Sequence, residues 1–168
     1  MSLEFFESLL RRYRSKGLLV DTNVLLLLLV GSIDPNIISR FKITANQGFT
    51  GTDYELLRTL IGNFQKVVTT PHILAEVSNQ ADKFKSENHQ RIFSRFISLI
   101  DLLEEHFEPA KALAGSDAFV RFGLTDTAIS MVAAKRFLVL TVDLPLAGYL
   151  KKKGVDAINF NNLRSSWG

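Results

Sequence analysis

Two short apolar runs in this chain stop abruptly at an aspartate. Leu18-Leu19-Val20 runs into Asp21, and Val139-Leu140-Thr141-Val142 runs into Asp143. Neither run alternates with a period of two, as expected of parallel strands covered on both faces. In an open parallel sheet the ligand crevice lies beyond the carboxyl ends of the strands, so both aspartates face one crevice if their strands are neighbours. Two further acids are expected in the first turns of helices that begin at that same edge. Glu76 lies five residues after Pro71, behind the strand-like run Lys66–Thr70, and Asp126 opens the helix before the run Arg136–Val142.

Four carboxylates brought together repel one another, and some would take up protons if left alone. A hard divalent cation removes that conflict, and oxygen-only donors suit Mg2+ or Mn2+. Such an ion lowers the pKa of water and stabilises charge growing on a phosphoryl oxygen; two ions about 3.5–4 Å apart clamp the attacking and leaving oxygens of a phosphodiester. The expected reaction is hydrolysis by a metal-activated water, with no side-chain nucleophile. The chain has no cysteine and only three histidines. That excludes disulfides, thiolate zinc sites and cysteine catalysis, and it disfavours a histidine-built metal cage.

The other acids have plainer readings. Asp53, Asp117 and Asp156 are read as turn or cap residues, and His72 as a surface histidine in a first helical turn. Asp21 and Asp126 also suit helix N-caps, a role compatible with metal binding. A phosphatase using an aspartate nucleophile needs a second acid two residues later, where this chain has Asn23.

The positioning elements follow from periodicity. Helical spacing marks residues 3–15, with Gly17 as a stop, then Thr22–Val30 and residues 53–64. Residues 31–53 read as a loop with a short helix. A helix runs from Pro71 to about Asn79. A long amphipathic helix is predicted over 83–107, with Ile92, Phe96, Ile100, Leu103 and Phe107 on one face, ended by Glu108-Pro109. A short helix near 110–115, the helix opened by Thr125-Asp126, a strand over 136–142, a helix over 144–152 and a last strand over 155–160 complete the chain. Alternating strands and helices predict an α/β fold, a three-layer α/β/α sandwich around a central, mostly parallel sheet. At 168 residues and 18.9 kDa the expectation is one domain over 1–168.

With those elements placed, four blocks resemble, in order and context, the signature blocks of PIN domains. They are DTNVL from Asp21, TPHILAEV around Glu76, TDTAI around Asp126 and LTVD ending at Asp143, and the resemblance covers roughly residues 17–163. It implies a PIN-like sandwich and a Mg2+- or Mn2+-dependent endoribonuclease, acting as a toxin of a toxin–antitoxin pair or as an RNA-processing factor. By that resemblance Asp21, Glu76, Asp126 and Asp143 are the metal-binding and catalytic set, while Asn23 and Thr141 support the first and last acids. It also implies an RNA substrate, an antitoxin protein partner and a homodimer. The alternative within the family is a catalytically inactive scaffold that binds RNA or a protein. The helices over 1–16 and 83–107 are read as additions to the minimal pattern.

Composition agrees with a globular protein: 46% hydrophobic, 22% charged, net charge +3. The longest apolar run, Val24–Val30, falls far short of the roughly 20 residues a spanning helix needs, so no membrane partner is expected. Glu4 and Glu7 precede the first basic residues, unlike a secretory signal, and a cytoplasmic location is expected. Arg11, Arg12, Arg14 and Lys16 form one basic cluster; Lys83, Lys85, Arg91 and Arg95 a second; Lys151 to Lys153 a third. Each is a solvated face or a phosphate contact whose binding weakens with salt. Phe5, Phe6 and Tyr13 beside the first cluster are assigned to packing.

Overall fold

Leu18-Leu19-Val20 has no exposed surface, and this run is the middle strand of the sheet. The computed structural model describes residues 2–84, 86–134 and 136–167. The chain runs α1 (Leu3–Tyr13), β1 (Leu18–Val20), α2 (Thr22–Ile33), a 3-10 turn (Pro35–Ile37), α3 (Lys42–Asn46), α4 (Gly51–Ile61), β2 (Val67–Thr69), α5 (Pro71–Ala81), α6 (Ser86–Ile100), β3 (Leu103–Glu105), α7 (Ala110–Ala114), α8 (Phe119–Ala133), β4 (Leu138–Thr141), α9 (Leu144–Lys152), β5 (Ala157–Asn159) and α10 (Phe160–Trp167).

The five strands are all parallel, in the order β3-β2-β1-β4-β5, and helices cover the sheet as the expected α/β/α sandwich. The strand order grows outward from β1 to β2 and β3, then reverses to β4 and β5. β1 and β4 are therefore neighbours at the switch point where an α/β sheet opens its crevice. Their register pairs Leu18 with Leu138 and Val20 with Leu140, so Asp21 emerges beside Thr141, with Asp143 two residues further along.

α2 is apolar nearly all round: Val24, Leu25, Leu26, Leu27, Leu29 and Val30 are buried, the pattern of a core helix. It packs against α4, α5 and α6. Gly31 lies inside α2, where a Cβ would meet the Tyr54 ring at 2.3 Å. Gly31→Ala would gain about 1 kcal/mol of helix propensity. Overpacking costs about 1–3 kcal/mol, and Tyr54 is itself buried, so the clash outweighs the gain. Thermal unfolding of the variant is expected to drop by a few degrees.

The region read as one helix over 83–107 is corrected. α6 ends at Ile100, and Leu103–Glu105 is instead an edge strand, with Leu103 opposite Val67 and Glu105 opposite Thr69. The backbone groups of this stretch gain partners in β2, and the His106 N–H donates to the Thr69 carbonyl at 2.9 Å. Glu104, bridged to Lys66 at 3.1 Å, puts charge on the edge and discourages further pairing. Phe107, expected on the buried face of that helix, is 65% exposed. A helical turn from Phe119 precedes the Gly123 break in α8, after which the helix restarts where Thr125-Asp126 was expected to open it, and α10 follows the last strand, where no helix was expected.

Asp53, Asp117 and Asp156 do have structural partners. Asp53 closes a capping box with Thr50 and pairs with Arg164 at 2.8 Å. Asp117 pairs with Lys153 at 2.8 Å. Asp156 takes Arg12 at 2.9 Å and the Tyr13 hydroxyl at 2.8 Å, which docks α1. Burial, with the Asp156 carboxylate beside it, raises the Tyr13 phenol above its ordinary pKa. Lys85, from the second basic cluster, lies outside the described residues. Among the described residues, no helix is long and apolar enough to cross a membrane.

Candidate active site

Asp21 leaves β1 and immediately caps α2, its Oδ1 accepting the Thr22 N–H at 2.6 Å. Its Oδ2 accepts the Thr141 hydroxyl at 2.5 Å. Thr141, the last residue of β4, is fully buried, and its oxygen also accepts the Asp143 N–H at 2.9 Å. One hydroxyl thus links the acids that end neighbouring strands. Asp143 in turn caps α9, accepting the Leu146 N–H at 2.7 Å.

Glu76 stands in the second turn of α5, not the first, and two hydroxyls hold its carboxylate. Thr22 Oγ1 donates to Oε2 at 2.9 Å, and Thr125 Oγ1 donates to Oε1 at 2.5 Å. These two threonines are the site residues that sequence reasoning missed. Each directly adjoins one of the acids, Asp21 or Asp126, and that adjacency is the signal that could have found them. Asn23 lines the same pocket.

Asp126 owes its place to a break in α8. Gly123 has φ 75 and ψ −169, so the helix restarts there and carries Asp126 in its new first turn. The positive φ suits glycine, which lacks a Cβ. Thr127 Oγ1 donates to the Gly123 carbonyl at 2.6 Å and steadies the restart. Asp126 itself has no hydrogen-bond partner among the described residues.

All four acids line one pocket of about 660 Å³ with Thr22, Asn23 and Thr125. Among the described residues, none of the four has a lysine, arginine or histidine within salt-bridge distance. Their charges act on one another. Burial pushes the Asp126 carboxyl up to about 7, and the charges of Asp21, Asp143 and Glu76 add to the shift. Burial also raises Asp21; its bonds from Thr141 and Thr22 pull it back, and Asp143 and Glu76 push it up again.

His72 is not the plain surface residue expected. It is half-buried, lines this pocket, and its Nδ1 is buried with no partner among the described residues.

The donor set fits a hard divalent cation: four carboxylates, oxygen only, with no protein cation to neutralise them. The fit is in chemistry and convergence, not in a closed cage. Among the described residues, no three acidic or histidine side chains already stand close enough to hold one ion. Binding would therefore draw the carboxylates inward, with Asp21 and Glu76 best fixed by their hydroxyl partners. No family model, curated protein or solved structure matches this chain.

Proposed function

We propose that this chain is a divalent-metal-dependent endoribonuclease of the PIN kind, hydrolysing RNA phosphodiester bonds with Asp21, Glu76, Asp126 and Asp143 as its metal-binding set. The observation that carries the reading is the convergence of four carboxylates without a counter-cation at the switch point of a parallel sheet, one of them raised to about 7. That arrangement is costly unless something positive completes it.

A bound Mg2+ or Mn2+ would activate water and stabilise charge on the phosphoryl oxygen. The chain's own groups do the rest. Thr141 and the Thr22 N–H orient Asp21, and the hydroxyls of Thr22 and Thr125 hold Glu76. Those hydroxyls are committed to carboxylates, so none is poised as a nucleophile, in keeping with attack by water. Asp126 and Asp21, both raised, are the carboxyls that would give up protons when positive charge enters the pocket. The resemblance supplies RNA as substrate, the toxin or processing role, a cytoplasmic place, and an antitoxin or second copy as partners.

The open spacing of the acids favours one second reading, a PIN scaffold that binds RNA or a protein without cutting. Incubation of labelled RNA with the purified chain separates the two. The nuclease reading expects cleavage with Mn2+ or Mg2+ that stops in EDTA. Intact RNA at millimolar Mn2+, or cleavage unchanged by EDTA, overturns it.

A further inference from the structure

A site built of four carboxylates repels a polyanion, so cations elsewhere on the surface must bring such a substrate in. Among the described residues, three members of the basic clusters are already neutralised, while Lys83 of the second cluster is not. Arg11 pairs with Glu7 at 3.6 Å, Arg12 with Asp156, and Lys153 with Asp117. A second groove, of about 810 Å³, is better placed. The segment from Ile37 to Asn46 encloses it against the end of α5 and the start of α6. Arg40, Lys42 and Lys83 stand exposed on its rim, and among the described residues no acidic side chain lines it.

None of these three cations has an acidic partner within salt-bridge distance among the described residues. Lys83 Nζ donates to the Gln80 side chain at 2.8 Å. Gln80 lines both this groove and the acid pocket, so the two run into one another. On the floor the rings of Phe41 and Phe84 stack 3.8 Å apart, with Phe41 only partly covered.

We propose that this groove holds a single-stranded RNA, its phosphates on Arg40, Lys42 and Lys83, and leads the strand past Gln80 to the acid pocket. The identification of the strand as RNA rests on the nuclease reading; the cationic groove does not. Charge complementarity selects a polyanion. The concave shape and aromatic floor favour unstacked bases over a duplex, because every base offers a face to an aromatic ring.

The test is binding without cleavage. A fluorescein-labelled single-stranded RNA of about ten nucleotides is titrated in EDTA, and anisotropy is read at several salt concentrations. Replacing Arg40, Lys42 and Lys83 together by Gln alters only exposed side chains. The triple variant is expected to bind at least about tenfold more weakly, with a log–log salt slope flatter by about 2, at about 0.7 per lost phosphate contact. A matched triple change at Arg14, Lys16 and Arg136, which precede β1 and β4 at the opposite edge of the sheet, is expected to leave binding unchanged.

Equal losses in both triple variants, or none in the first, overturn the groove, and so does capture of an acidic peptide in place of RNA. The two claims fail separately. A chain that binds through these cations but never cuts loses the nuclease reading alone. One that cuts with metal but ignores the three substitutions loses the groove alone.

Discussion

Asp21→Asn is expected to lower metal-dependent RNA cleavage by at least about 10³-fold, a loss of about 4 kcal/mol in transition-state stabilisation. The substitution removes one negative charge from the most buried and best oriented of the four acids, at 5% exposure. It leaves the fold intact for identifiable reasons. Asparagine caps helices as well as aspartate does. The new amide oxygen can still accept the Thr22 N–H, and its amine can donate to Thr141, whose oxygen has room for a second donor beside the Asp143 N–H. The variant should therefore unfold no earlier than the parent while its cleavage rate collapses. Thr141→Val keeps all four charges but frees Asp21 Oδ2, and should cost about 10–100-fold. Asp117→Asn, at an exposed pair that does not line the pocket, should retain full activity. Cleavage by Asp21→Asn at the parental rate would contradict the assigned role of the carboxylates.

The metal-free protein should lose stability as pH rises from about 4 to about 7. The direction follows from Asp126, which titrates at about 7 in the folded chain and near 3.9 when unfolded. Between those values the folded state holds a proton that the unfolded state has released, so unfolding free energy falls as pH climbs. Below the window both states are protonated, above it both are ionised, and the curve flattens at each end. The raised Asp21 adds to the same trend. Because Asp126 is only partly buried, solvent screening reduces the effect to about 1–2 kcal/mol, or roughly 3–6 °C in Tm.

Removing the charge should reverse this. Asp126→Asn should be more stable than the parent at pH 8 without metal, and the difference between the two should shrink toward pH 4. Comparing parent with variant cancels the histidines and the other titrating groups. Mn2+ at a hundred times its Kd should restore about 2.7 kcal/mol to the parent at pH 8 and much less to the variant. A stability difference between parent and variant that is the same at pH 8 as at pH 4, or equal gains from Mn2+ in both chains, would contradict a raised, metal-binding Asp126.

The ends of β1 and β4 were legible because an apolar run buried on both faces can stop only where a polar group meets the crevice, and Asp21 and Asp143 are those groups. The layered α/β fold was legible for the same reason: its inner strands are short, apolar and regularly interrupted by helices. The edge was not. From Ile92 to Phe107 apolar residues keep helical spacing, and no glycine or proline interrupts them before Pro109. Only pairing with β2, a contact distant in the chain, decides that Leu103–Glu105 is a strand.

Local spacing also hid how Glu76 is held. Nothing near Glu76 in the sequence points to Thr22 or Thr125, 54 and 49 residues away. The restart of α8 at Thr125-Asp126 was legible from its cap chemistry; the helical turn from Phe119 ahead of it, cut off by the positive φ of Gly123, was not. His72 looked exposed because its first-turn position says nothing of the Gly123 break in α8, whose residues line the same pocket.

The most direct test is diffraction from crystals soaked in Mn2+, with data collected to reveal the metal's anomalous signal. The account predicts a peak in the pocket bounded by Asp21, Glu76, Asp126 and Asp143, with carboxylate oxygens drawn in around it, and its loss in Asp126→Asn crystals. An empty pocket at millimolar Mn2+, or a peak only at unrelated surface acids such as Asp117, would contradict it.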